Sequence, residues 1–199
     1  MSVWLWMEAL GTAYLVGSLP TAYLAGRWAR GLDIRRLGDG NPGAANVWRE
    51  VGPLEGTVVA LVDVGKGAGA VFLASLLTGS IIGQMLAGGL AVVGHNWSAF
   101  LRFQGGRGAA TTLGVLLVLL PRATFPLLAL ALIPFFLTRS VTTALAFVYI
   151  PLPLLAWWSG ASVGVVVFSV ALPILVGVTH ALRAHEGLPS QGREVQTLR

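Results

Sequence analysis

An all-helical membrane bundle is the fold class this sequence predicts, and three observations predict it. Hydrophobic residues make up 55% of the chain and charged residues 11%, with a mean hydropathy of +0.78. Soluble domains carry about 25% charged residues. The apolar residues also come in long runs, several near the length of about 20 residues that crosses a bilayer. Finally, the polar stretches between the runs are rich in arginine on alternate connections only. Together these predict a polytopic integral membrane bundle of about seven transmembrane segments. A single membrane-embedded domain over 1–199 is the economical organisation.

The first run, Val3 to Ala25, is long enough to cross. No basic residue precedes it and Glu8 lies inside it, so it reads as a retained helix rather than a signal. Arg27, Arg30, Arg35 and Arg36 follow, then a loop from Gly38 to Arg49. Thr57 to Leu77 is a second span carrying Asp63 and Lys66. Thr78-Gly79-Ser80 turns the chain into a third, Ile81 to Val93. A second glycine loop, Arg102 to Gly108, precedes Ala109 to Leu120, a short fourth segment. Ala123 to Leu137 is the fifth, weakened by Pro126 and Pro134. Val141 to Trp158 is the sixth, with Pro151 and Pro153, and Ala161 to Val178 the seventh. The tail from Thr179 is polar, and Glu8 and Gln84 read as lone packing partners.

Placing the N-terminus outside puts every arginine except Arg122 on the inner side, including Arg139, Arg183, Arg193 and Arg199. The positive-inside rule therefore favours an external N-terminus and a cytoplasmic C-terminus. Both glycine loops and the tail then share the cytoplasmic face. The formal charge of +5 fits such loops beside anionic lipid, and nucleic acid is not implied. With no cysteine there is no disulfide, thiolate metal site or cysteine nucleophile. His95, His180 and His185 do not form a metal pattern.

Chemistry concentrates in three places. In Gly38-Asp39-Gly40-Asn41-Pro42-Gly43-Ala44-Ala45-Asn46, the glycines let backbone N–H groups face an anion. Gly105-Gly106-Arg107-Gly108 precedes a helix start, where free N–H groups and the helix dipole favour phosphate. Two readings stand for that loop: a phosphate site, or a chain turn with Arg107 reaching to lipid headgroups. Asp63 and Lys66 stand at i and i+3 on one face, Lys66 roughly 14 Å into its helix at about 1.5 Å per residue. They form either an ion pair, mutual or with an arginine, or part of a site. Gly65, Gly67 and Gly69 either admit a ligand or allow close helix packing. His95 and Asn96 close the third span, where a histidine can also cap terminal carbonyls.

Three motifs resemble those of the bacterial acyl-phosphate:glycerol-3-phosphate acyltransferase family. They are Gly17-Ser18-Leu19-Pro20 with Gly40-Asn41-Pro42-Gly43-Ala44-Ala45-Asn46-Val47-Trp48-Arg49; Leu61-Val62-Asp63-Val64-Gly65-Lys66-Gly67; and Gly94-His95-Asn96-Trp97 with Phe100-Leu101-Arg102-Phe103-Gln104-Gly105-Gly106-Arg107-Gly108-Ala109-Ala110-Thr111. The match runs from about residue 17 to 117. The resemblance implies acyl transfer from acyl-phosphate to glycerol 3-phosphate at the cytoplasmic face of the bacterial inner membrane, without a cofactor or metal. It implies catalytic roles for Asn46, Arg49, His95, Arg107 and His180. It implies substrate binding by Asp39, Gly40, Asn41, Gly43, Asp63, Gly65, Lys66, Gly67, Asn96, Gly105, Gly106, Gly108 and Arg183. Membrane lipid is the expected surrounding partner.

The chain departs from the family pattern at three points. Asp39 stands where serine is usual, Arg107 where lysine is usual, and Arg183 where an asparagine follows the tail histidine by three. A carboxylate at Asp39 would repel phosphate unless Arg49 or Arg183 neutralised it, and an Asp39–Arg183 pair is the expected compensation. Two alternatives remain from sequence: a divergent paralogue with altered or no activity, and a small transporter of anionic metabolites.

Overall fold

The structure is a computed structural model that describes residues 2–185. The expectation for Arg193 and Arg199 lies outside them. Among the described residues every regular element is helical: α1 Val3–Ser18, α2 Thr21–Arg30, α3 Ala44–Glu50, α4 Pro53–Thr78 and α5 Ile81–Asn96, then α6 Ala109–Leu119, α7 Pro121–Thr138, α8 Val141–Tyr149, α9 Leu152–Trp158 and α10 Val163–His185. Two single 3-10 turns, Ile34–Arg36 and Ala99–Leu101, lie in the loops.

Two predicted spans are divided. Val3 to Ala25 breaks at Leu19-Pro20, because proline brings no N–H and holds the preceding residue extended. Val141 to Trp158 is interrupted at Ile150-Pro151, where Pro151 brings no N–H although both residues keep right-handed helical angles. Pro126 and Pro134, by contrast, stay inside one continuous α7. Four stretches are long and apolar enough to cross a membrane: Pro53–Thr78, Pro121–Thr138, Val141–Trp158 and Val163–Arg183. The helix Ala109–Leu119 is shorter. Glu8 is exposed on α1 and Gln84 only half-buried, so the packing role expected for Glu8 is not what α1 shows.

Helix α4 is the pillar, touching α1, α2, α3, α5 and α6. Glycine makes its crossing with α6 close. A Cβ at Gly67 would run into the Thr111 carbonyl, and one at Gly114 into the Val64 carbonyl. Helices α1 and α5 cross the same way, through Gly17 against Ala91 and Gly94 against Tyr14. Small side chains, Ala9 and Ala13 of α1, Ala70 and Ala74 of α4 and Ala87 and Ala91 of α5, fill the space where these three helices meet. Close approach of small residues is how helices pack where lipid offers no hydrophobic drive. Larger apolar residues such as Leu61, Phe72, Phe136 and Ile174 point outward.

Candidate functional site

The break at Leu19-Pro20 builds the first part of the site. A helix end leaves carbonyls without intrahelical partners. Here side chains from far along the chain supply them: Ser98 Oγ donates to the Ser18 carbonyl at 2.5 Å, and Lys66 Nζ donates to the Leu19 carbonyl at 2.5 Å. Lys66 Nζ also donates to Thr21 Oγ1 at 3.0 Å and to Asp63 Oδ1 at 2.8 Å. Thr21 Oγ1 in turn donates to Asp63 Oδ1 at 2.6 Å. Lys66 and Asp63 are 3% and 1% exposed, so the pair survives burial by saturating its hydrogen bonds. His95 Nδ1 lies 3.8 Å from Asp63 Oδ1 and completes the cluster.

The second glycine loop folds over the end of α5. Gly105 N and Gly106 N donate to the Asn96 and His95 carbonyls at 3.1 and 2.9 Å. The approach is too close for side chains: a Cβ at Gly105 would strike the His95 carbonyl, and one at Gly106 the His95 Nε2. Gly108 has φ +80° before α6, a conformation that suits glycine, with Asn96 Oδ1 against it. Arg183 on α10 clamps this loop by donating to the carbonyls of Gly105, Gly106 and Asn96. Thr179, one turn earlier, donates to the Arg107 carbonyl at 3.3 Å and receives the Asn96 side-chain amide at 3.5 Å.

The first loop is pinned from within. Asn46 is fully buried, and its Nδ2 donates to the Ile34 and Leu37 carbonyls at 3.2 and 2.9 Å. Gly38 and Gly40 turn the chain at φ +56° and +69°. Asp39 Oδ1 accepts from Asn41 N at 3.2 Å. Its Oδ2 faces two guanidiniums, Arg107 Nη1 at 3.2 Å and Arg49 Nη2 at 3.4 Å. Arg49 neutralises Asp39 as expected, but the second partner is Arg107. The expected Asp39–Arg183 pair is corrected: none is found among the described residues, because α10 directs Arg183 to the loop carbonyls. Beside the loop, Asp33 takes two hydrogen bonds from the Arg35 guanidinium, at 3.0 and 2.8 Å. These hold its carboxyl below the usual carboxylate range, against the opposing effect of partial burial.

A narrow cleft joins these parts. It is lined by Ser18, Leu19, Pro20, Thr21, Tyr23 and Pro42 on one side, and by His95, Ser98, Leu101, Gly105 and Gly106 on the other. Of the residues singled out from sequence, His95, Gly105 and Gly106 line it. Asp63 and Lys66 support it from behind, and Asp39, Arg49 and Arg107 form a separate charged group on the loops. Several others are placed elsewhere. Gly65 faces outward and Gly67 serves the α4–α6 crossing. Asn46 gives its Nδ2 to backbone carbonyls while its Oδ1 is buried without a partner among the described residues, and His180 is exposed on α10. Asn96 and Arg183 shape the loop, while Gly43 caps α3 and packs against the Asn41 side chain. Thr21, Ser98 and Thr179 escaped the sequence reading. The usable signal for Thr21 was its position just after the helix-breaking proline, where carbonyls need donors.

Known proteins resemble this arrangement. The family model described as glycerol-3-phosphate acyltransferase matches residues 8–186. Glycerol-3-phosphate acyltransferase 2 of Moorella thermoacetica is 54% identical over 61% of this chain and 62% of its own length. The chain thus spans less than two thirds of that relative. Glycerol-3-phosphate acyltransferase 1 of Dehalococcoides mccartyi is 40% identical over 88% of this chain and 87% of its own. Two crystal structures of PlsY (YgiH), an integral membrane glycerol 3-phosphate acyltransferase, also superpose. Its glycerol 3-phosphate form gives a TM-score of 0.82 at 28% identity over 91% of this chain and 90% of that one. Its lysophosphatidic acid form gives 0.79 at 27% identity over the same shares. With the model spanning nearly all of the described helices and the superposition covering the same ground, this chain belongs to the glycerol-3-phosphate acyltransferase family.

Proposed function

We propose that this chain transfers an acyl group from acyl-phosphate to glycerol 3-phosphate, forming lysophosphatidic acid and inorganic phosphate. The observation that carries this reading is the convergence of Arg49 and Arg107 on the Asp39 carboxylate. Two guanidiniums facing one anion present the geometry that a phosphate takes, and Arg107 Nε is buried without a protein partner among the described residues. A substrate phosphate displaces Asp39 from these groups. The hydroxyl of glycerol 3-phosphate attacks the acyl carbonyl, a new ester C–O bond forms, and the carbonyl carbon's bond to the phosphate oxygen breaks. The guanidiniums stabilise the charge that builds on the carbonyl oxygen and the departing phosphate.

In this reading His95, which lines the narrow cleft, takes the hydroxyl proton. Its Nδ1 lies 3.8 Å from Asp63 Oδ1, with Nε2 beside Gly106. The proton passes on to the departing phosphate. Asp63, Lys66 and Thr21 act through His95 by fixing its surroundings.

The bilayer is that of the bacterial inner membrane, with the site toward the cytoplasm and the N-terminus outside. The arginine asymmetry supports this: Arg27, Arg30, Arg35, Arg36, Arg49, Arg102, Arg107, Arg139 and Arg183 fall on the inner side in that orientation, and Arg122 alone on the outer. The transporter alternative gives way to the family assignment. The divergent-paralogue reading keeps one observation in its favour, the carboxylate that already occupies both arginines. The test is an assay of purified protein with acyl-phosphate and glycerol 3-phosphate. Lysophosphatidic acid is the expected product; its absence, with an active family enzyme alongside, refutes the reading.

A further inference from the structure

A second, wider cleft of about 570 Å³ lies outside the narrow one and shares Tyr23 and Leu101 with it. Its polar lining is Asp33, Arg35, Arg36, Arg102 and Gln104, and Phe100 completes the wall. Positive charge is in excess there. Asp33 is consumed by Arg35, which also lies 5.1 Å from the centre of the Tyr23 ring. Arg27 stands over the same ring at 5.5 Å. The side chains of Arg36 and Arg102 have no ion-pair or hydrogen-bond partner among the described residues, and both residues are exposed.

The backbone at this cleft is held in an unusual shape. Arg102 and Phe103 take successive left-handed conformations, φ 54° and 64°, which residues other than glycine avoid. Such outliers persist where the surroundings impose them, often at binding sites. Phe100 and Phe103, 55% and 62% exposed, put apolar surface on either side of Arg102. Exposed apolar side chains beside an arginine suit the boundary where acyl chains meet headgroups, the rings entering the apolar layer and the charge facing phosphate. An inorganic anion would need only the arginines; a ligand with a phosphate head and an apolar chain uses both features.

We infer that this outer cleft is a binding site for the phosphate headgroup of a single-chain lipid amphiphile, reached from the membrane and leading to the narrow cleft. Under the proposed acyl transfer, on which this assignment of its use rests, the acyl-phosphate donor docks here through Arg36 and Arg102 before its carbonyl reaches the narrow cleft. The site differs from the Arg49–Arg107 pair, with which it shares no residue.

Two measurements test it, one of them independent of catalysis. Full-length protein in phosphatidylcholine nanodiscs is titrated with dodecyl phosphate in the presence of saturating glycerol 3-phosphate. Binding is expected, and the double variant Arg36→Gln/Arg102→Gln should weaken it at least about tenfold. Unchanged binding in that variant overturns the inference. So does equal displacement by inorganic phosphate, or a loss confined to Arg107→Ala. In the assay, the double variant should raise KM for acyl-phosphate about tenfold, leaving kcat and KM for glycerol 3-phosphate within about twofold. An equal rise in both KM values overturns it too. If the wild type makes no product, acyl transfer fails while the titration still decides the cleft.

Discussion

Two charged groups in this molecule use the same chemistry to opposite ends. In the Asp63–Lys66 pair the side chains are 1% and 3% exposed, and Thr21 and the Leu19 carbonyl saturate them. In the Asp39–Arg49–Arg107 group the side chains are 38%, 52% and 18% exposed, the contacts are longer, and donors are left over. Burial with full hydrogen bonding makes the first a fixed part of the scaffold. Exposure and longer contacts make the second exchangeable, as the proposed displacement of Asp39 by a substrate phosphate requires. Exposed pairs contribute about 0–1 kcal/mol, whereas breaking a buried one costs about 3–5 kcal/mol.

The sharpest way to break this contrast is Lys66→Met. It leaves Asp63 buried without its cation and should destabilise the fold by about 3–5 kcal/mol, seen as a lower unfolding temperature in detergent. Adding Asp63→Asn should recover part of that loss, since no buried charge then remains. A Lys66→Met protein as stable as the wild type would show that the pair is not a scaffold element.

Arg107→Ala probes the exchangeable group. Activity should fall about a hundredfold, the scale of losing one charge-stabilising donor, with little change in unfolding temperature. A matching loss of stability would erase the distinction between the two groups.

Asp39→Ser sharpens it further. Freed of the internal carboxylate, Arg49 and Arg107 should bind phosphate more readily, and kcat/KM for glycerol 3-phosphate should rise about three- to tenfold. An unchanged or lower value would mean that Asp39 organises the arginines rather than competing with substrate.

The smallest effect concerns Asp33, whose carboxyl is held low mainly by its hydrogen bonds from Arg35. A group with a depressed folded pKa stabilises above its unfolded pKa, and that contribution is lost as pH falls through the folded one. Below about pH 4 the wild type should therefore lose this increment of stability, while Asp33→Asn should lack it at every pH. Parallel acid-denaturation profiles for the two proteins would contradict this.

Much of the outcome was legible in one dimension. Long apolar runs fix helices in lipid whatever their neighbours, because backbone polar groups there must be satisfied within the segment. The i, i+3 spacing brings Asp63 and Lys66 together by helical geometry alone. The glycines at the loop turns follow from backbone sterics. The family motifs were legible too, since they depend only on residue order.

What order could not decide was who partners whom across the bundle. Lys66 satisfies a carbonyl in the break of another helix, and Asn46 answers to two loop carbonyls. Arg107 rather than Arg183 meets Asp39, because α10 sets Arg183 against the glycine loop. His180 turns out exposed beside a Thr179 that is buried, one residue apart on the same helix. By itself the sequence determined a helical membrane protein, its arginine-bearing loops and its family. Only the tertiary structure decided which polar groups are anchors and which are free to exchange, because that depends on which donors the packing brings to each buried acceptor.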